Sequence, residues 1–380
     1  MIRLAAIATG LAVLLFQLQP APDTSLRVRL KAYLDEWRAG GTFPGAALGV
    51  AIRGQESFAI TTGVSDRATG RPVGPEDLFM AGSTGKTFFA AVALQLIESG
   101  AIGLDAPISK YLGREPWFSR LPNAQQITVR HLMTHTSGLV RYEMNPTFTA
   151  DLRANPSKHW TPEEQIAYLF DSTPPFAAGQ GWDYSDTNYI VLGMIMERVK
   201  GSKVYDEVRD RFLLPLLLTR VVPTTSRRIP DLVNGYAGAR DPLGFPEEAM
   251  KDGELAISPQ FEWTGGGYAT SPLDLARWGL ELYAGRALTA SARKMMIDAA
   301  VPARLGPETK YGLGVIVRTG TPVGHTWGHS GFYPGYQTEL VYVPDLNVSL
   351  ALQINSSAPR STGAKGMLRV LYDVAGMVRP

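Results

Sequence analysis

Leu26, Leu30, Leu34 and Trp37 recur at near-helical spacing in SLRVRLKAYLDEWRAGG, and Gly40-Gly41 ends the run, which predicts an amphipathic helix. Two β-rich runs follow, GAALGVAIRG and SFAITTGVSD, and the Gly54-Gln55 step between them predicts a hairpin. The next apolar run, TFFAAVALQLIESG, carries little polar surface and stops at Gly100; it predicts a buried helix whose first turn holds residues 83 to 86. From about Ala101 to Thr264, helical pieces such as ITVRHLMTHTSGL, EEQIAYLF and NYIVLGMIMERVKG alternate with Pro-rich loops. Ser271-Pro272-Leu273-Asp274 then supplies a hydroxyl cap, a proline at the first helical position and an acid in the first turn. After that helix, YGLGVIVR, the stretch from His325 to His329, QTELVYV and VSLALQI read as successive strands, and MLRVLYDVAGMV as a closing helix.

Strands near both ends with helices between them predict an α/β (α+β) architecture. One antiparallel sheet is built from both termini and flanked by helices, with an all-helical domain inserted. The expected division is residues 22–100 and 265–380 for the mixed domain and 101–264 for the mainly helical one.

Composition narrows the function classes. The formal charge of +2 comes from scattered Lys and Arg, so no basic stripe is present to bind nucleic acid. Cysteine is absent, which removes thiol nucleophiles, disulfides and thiolate metal sites together. Arg3 precedes an apolar run from Leu4 to Phe16 that is short for a membrane span and suits the core of an export signal over residues 1–21. The expectation is an exported protein, periplasmic or secreted. Gln19-Pro20-Ala21 is a mediocre cleavage site, so contact with the membrane through an uncleaved leader is the alternative.

The stretch AGSTGKTFFA resembles a phosphate-binding loop at first sight, but Met80 stands where such a loop needs a glycine. The other reading is Ser-x-x-Lys, Ser83 with Lys86. Positions i and i+3 share a helix face, so hydroxyl and ammonium can meet at one point. A serine needs such a neighbour to take its proton before it can attack a carbonyl, and a helix N-terminus adds N–H groups for the oxyanion. Taken alone the pattern is weak, since Ser291 and Lys294 repeat it and a plain helix cap would use the same serine.

Tyr184-Ser185-Asp186 and His329-Ser330-Gly331 follow in order. Together with Ser83 and Lys86 they resemble the serine β-lactamase and penicillin-binding protein superfamily. The surrounding ITVRHLMTHTSGL, WDYSDTNYIVLG, GGGYATSPLDLARW and WGHSG are most similar to its class C β-lactamase, D-alanyl-D-alanine carboxypeptidase and esterase branch.

The resemblance implies a β-lactamase/transpeptidase-like fold with Ser83 as nucleophile, Lys86 as proton holder and Tyr184 as the relay to the leaving group. It further implies that Asp186, His329, Ser330, Gly331 and Phe332 bind substrate, with the Ser83 and Phe332 N–H groups as oxyanion hole. His329 would tune charge at the substrate's carboxylate end, and Gly331 would let an extended substrate approach the strand edge. Asp186 stands where the family usually has Asn. A carboxylate there only accepts hydrogen bonds and would favour a charged Lys86, leaving Tyr184 as the better base.

The function expected is therefore a serine acyl hydrolase acting through a Ser83 acyl-enzyme on a small-molecule ester or D-peptide substrate, ahead of a class C-type β-lactamase acting on β-lactams. A non-catalytic peptide- or peptidoglycan-binding protein on the same fold is the rival from another class. No metal or organic cofactor is needed for this chemistry. His131 and His135 sit at i and i+4 but lack the glutamate of a metalloprotease motif, and are read as structural residues of one helix ending near Gly138. Glycines 265 to 267 are read as a flexible approach to the next helix, near the cleft rim.

Overall fold

The computed structural model describes residues 24–239 and 241–379. The expected leader lies outside these residues. The amphipathic run forms helix α1 (Thr24–Ala39), and the hairpin forms strands β1 (Gly45–Ile52) and β2 (Phe58–Gly63). The C-terminal part supplies β3 (Val301–Pro302), β4 (Thr309–Tyr311), β5 (Ile316–Thr321), β6 (Gly324–Tyr333), β7 (Tyr336–Val343) and β8 (Val348–Ile354). All eight join one antiparallel sheet in the order β2-β1-β8-β7-β6-β5-β4-β3, so β1 pairs with the last strand, Ala46 opposite Ile354. The run YGLGVIVR is divided between β4 and β5, because Gly314 takes φ +80° in the turn between them.

Period-2 alternation along β1 explains the layering. Ala46, Leu48 and Val50 face α1 and the closing helix, α6 once the remaining helices are numbered. Ala47 and Ala51 face the opposite core. Further helices used below are α2 (Lys86–Glu98), α3 (Val129–Met133), α4 (Thr187–Lys200), α5 (Pro272–Tyr283) and α6 (Met367–Val378). α5 starts as its sequence predicts, Ser271 Oγ accepting the Asp274 N–H at 3.2 Å. It packs on β1 and β8 and stacks Trp278 on Phe88 of α2, with ring centroids 4.2 Å apart. Phe88, Phe89 and Leu94 are wholly buried, so truncating any of them to Ala would cost about 2–5 kcal/mol.

Among the described residues no helix is long and apolar enough to cross a membrane. The segment between α2 and α5 is chiefly short helices, and it also carries short strands at Val221–Pro223, Met250–Lys251 and Glu254–Leu255. The first of these pairs with Tyr268–Thr270, which pairs in turn with Phe79–Met80. That three-stranded ribbon leads the chain directly into Ser83.

Candidate active site

Residues Gly82–Gly85 form a 3₁₀ turn, and α2 begins only at Lys86. Two close approaches fix this turn against β6. Gly82 has φ +49°, and a Cβ there would stand 2.5 Å from the Phe332 carbonyl oxygen; one on Gly331 would stand 2.0 Å from that of Ala81. Gly331 is therefore required by the turn that carries Ser83, a demand separate from the expected approach of substrate.

Ser83 caps nothing. Its Oγ accepts a hydrogen bond from Lys86 Nζ at 3.0 Å. Lys86 is fully buried and also donates to Asp186 Oδ1 and to the Gly265 carbonyl. An ammonium has three protons, and three acceptors take them, so this arrangement belongs to the charged lysine. Burial alone would push the Lys86 ammonium down, but the Asp186 carboxylate, with help from Tyr184, holds it above its ordinary value. Burial likewise opposes the Asp186 charge, and Lys86 together with Glu143 and Arg141 brings that carboxyl well below the usual carboxylate range.

Tyr184 completes the convergence. Lys86 Nζ lies 5.0 Å from its ring centroid, and Arg141 Cζ lies 5.7 Å away. Its hydroxyl makes no hydrogen bond of ordinary geometry, yet Lys86 and Ser83 are close enough that both favour the phenolate. Burial outweighs them, and the phenol titrates above its usual range. The cation's help is present, as the sequence suggested, but it does not win.

Arg141 and Glu143 join the site from the loop after α3. Arg141 bonds Asp186 Oδ2 at 3.2 Å and Glu143 Oε1 at 2.5 Å. Burial, reinforced by Asp186, keeps the proton on Glu143. Glu262, on the other wall, has a buried Oε2 with no partner, and burial pushes its carboxyl up to about 8.

The His329-Ser330-Gly331 run divides between the two faces of the sheet. His329 is only 1% exposed; its Nδ1 lies 2.7 Å from the Ser330 carbonyl and its Nε2 2.8 Å from the Tyr311 hydroxyl. A carbonyl only accepts, so Nδ1 carries the proton and Tyr311 donates to Nε2. Burial lowers His329 to about 3, leaving it neutral. It therefore cannot supply positive charge to a substrate carboxylate, contrary to expectation. Ser330 turns to the opposite face, where its Oγ donates to Glu339 at 2.8 Å and accepts from Arg318 at 3.2 Å. The period of 2 that brings His329 and Gly331 to the site takes the Ser330 side chain away from it. Phe332 is 43% exposed and lines the cleft, its backbone against Gly82.

The two histidines part company. His131 closes a capping box with Thr128 at the start of α3. That helix ends at Met133, so His135 lies beyond it with φ +59° and is wholly buried against Tyr184. Nor are glycines 265–267 a loose approach: the Gly267 carbonyl accepts from Thr224 N at 3.0 Å and the Tyr205 hydroxyl at 3.1 Å. The cleft over Ser83 encloses about 530 Å³ counting its open mouth, rimmed by Met144, Leu243, Phe261, Phe332, Tyr333 and Pro334.

Ser83 and Lys86, far in sequence from Tyr184 and Asp186, thus meet them around one point beneath the cleft. Residues 30–373 match the family described as Beta-lactamase, and the chain belongs to that family. It is 25% identical over 291 residues to a penicillin-binding protein of Bacillus subtilis (strain 168), covering 73% of this chain and 61% of the relative. It is 32% identical over 200 residues to esterase EstB of Burkholderia gladioli, covering 50% of each. The chain thus spans about three fifths and one half of these two relatives. Among solved structures, the D-amino acid amidase from Ochrobactrum anthropi SV3, complexed with L-phenylalanine amide, superimposes with a TM-score of 0.79 at 25% identity, covering 93% of this chain and 99% of that one. The fold and family are those of β-lactamase-related serine hydrolases, with penicillin-binding, esterase and amidase relatives.

Proposed function

We propose that the protein hydrolyses small esters or D-amino-acid peptides and amides with an apolar acyl part, through an acyl-enzyme on Ser83. The observation that carries this reading is the bond from the buried Lys86 to Ser83 Oγ at the floor of an apolar-rimmed cleft.

At rest Lys86 is an ammonium and Tyr184 a neutral phenol, so neither can accept a proton. The competent form has lost one, and because Asp186 holds the proton on Lys86, that form is the Tyr184 phenolate beside the Lys86 ammonium. The phenolate takes the Ser83 proton as Oγ attacks the acyl carbon, and backbone N–H groups of Ser83 and Phe332 receive the oxyanion. Tyr184 then gives that proton to the departing alcohol or amine, leaving an acyl-serine. Water repeats the sequence: Tyr184 takes its proton, and Ser83 leaves with it. An alcohol leaves with less proton help than an amine, which ranks esters first.

A neutral, buried His329 and a Ser330 turned away leave the carboxylate end of a β-lactam without its expected partner, which ranks lactams last. The test is a panel of p-nitrophenyl esters, a D-Ala-D-Ala peptide, a D-amino acid amide and a chromogenic cephalosporin, with intact-mass analysis after a fluorophosphonate. Ester turnover, a single adduct on Ser83, and loss of both in Ser83→Ala by about 10⁴-fold or more are expected. Tight peptide binding without turnover or adduct would identify a non-catalytic binder, and efficient cephalosporin turnover with inert esters would reverse the ranking.

A further inference from the structure

His135 holds the main chain on both sides of Tyr184. Its carbonyl accepts the Asp183 N–H at 3.1 Å, and its Nδ1 accepts the Ser185 N–H at 3.2 Å. Between these two anchors the imidazole lies against the Tyr184 ring, centroids 4.2 Å apart and planes tilted by 35°. The Asn188 amide shares the same Nδ1 at 3.1 Å, and its own Oδ1 accepts from Ser137 Oγ at 2.5 Å, which ties the anchor to the first turn of α4. Behind it the Tyr311 ring stands edge-on at 4.6 Å, and Tyr311 is the group that bonds His329.

Two costs accompany this placement. His135 occupies the left-handed backbone region, which strains a residue other than glycine. With Nδ1 accepting, the proton of the neutral ring sits on Nε2, and that N–H is buried without a partner among the described residues, which carries a desolvation penalty. Burial, aided by the Lys86 charge, keeps the ring neutral and so preserves this tautomer. A residue serving only to pack the core has no need of either cost. Both are accounted for if the backbone turn and the ring orientation are required by what stands in front of them.

We propose that His135 is the positioning residue of Tyr184, gripping the peptide units on its two sides and supporting its ring so that the phenol oxygen stays over Ser83 and Lys86. The proposal rests on the reading that Tyr184 moves the Ser83 proton. Charged and titratable groups around the phenol are Lys86, Asp186 and Arg141 in front and Tyr189, Tyr311 and His329 behind, and none of them replaces the grip on residues 183 and 185.

The test is a double-mutant cycle on p-nitrophenyl butyrate, with kcat, KM and thermal unfolding measured for wild type, His135→Asn, Tyr184→Phe and the double variant. Asparagine tolerates the left-handed backbone and can keep an acceptor near the Nδ1 position, but it lacks the ring. His135→Asn is expected to lower kcat by about 10- to 100-fold with KM within about twofold, a displacement effect. In the Tyr184→Phe background the same change is expected to cost less than about twofold, since there is no longer a phenol oxygen to place. Equal losses in both backgrounds, or no loss in either, overturn the proposal. A Tyr184→Phe enzyme with wild-type kcat overturns the proton role itself, and is told apart by the single variant alone. If His135→Asn does not fold, His135→Gln carries the same cycle.

Discussion

Asp186 forms an ion pair with Lys86 directly beneath the Ser83 hydroxyl, and the same carboxylate reaches Arg141 with its other oxygen. An amide at this position would leave the lysine ammonium without its anionic partner. The carboxylate instead locks the ammonium in place, and on the proposed mechanism this leaves proton transfer to Tyr184.

Asp186→Asn should therefore change the pH dependence before it changes anything else. Without the carboxylate, burial lowers the Lys86 ammonium, and the lysine becomes neutral at lower pH. The rising limb of kcat/KM against pH is expected to move down by about one unit or more, the usual effect of an opposite charge at contact distance. An unmoved limb would mean that the ion pair does not govern the base.

Glu262 predicts a stability effect of opposite sense to ordinary carboxylates. Its folded value of about 8 lies above the ordinary glutamate value of 4.5, so the folded chain holds a proton that the unfolded chain releases. That contribution is fully present below about pH 4.5 and is lost as pH rises through 8. Glu339, raised by burial to about 7, adds a loss of the same sign that ends sooner. Melting temperature should fall across this window, and Glu262→Gln should flatten the fall by a few degrees, roughly 2–4 °C for each kcal/mol removed.

Gly331→Ala should damage both fold and rate. The added Cβ would meet the Ala81 carbonyl at 2.0 Å, and neither backbone can yield without moving the turn that carries Ser83. A loss of about 2 kcal/mol or more in denaturant unfolding is expected, with kcat down by about 100-fold in the fraction that folds.

Phe332→Ala separates the rim from the floor. Truncating a ring that is already 43% exposed should raise KM for a p-nitrophenyl ester of a medium-length acyl chain by about 3- to 10-fold, since only part of a full apolar burial is lost. kcat should change by less than about twofold, and the acetyl ester should respond less than the longer one.

Local periodicity made the sheet legible in the sequence, whereas the meeting of Ser83, Lys86 and Tyr184 was legible only through the family resemblance that their short motifs carry. Ser330 shows a signal that was available and passed over: in a strand carrying His329 and Gly331 toward the site, alternation sends residue 330 the other way. His135 was hidden by an assumed helix that reached Gly138. The real one ends at Met133, and no propensity announces a histidine in the left-handed region. Arg141 borders a short 3₁₀ turn, and Glu143 and Glu262 lie in such turns, too brief to show periodicity, so only the folded chain brings them to the cleft.

The approach of Gly82 to Phe332 and of Gly331 to Ala81 sets the Ser83 turn by main chain against main chain. Exposed side chains that line the cleft, such as Met144 and Phe332, stand apart from that backbone contact. Such a scaffold suits redesign: preference among acyl groups can be rewritten at the entrance while the chemistry underneath keeps its geometry.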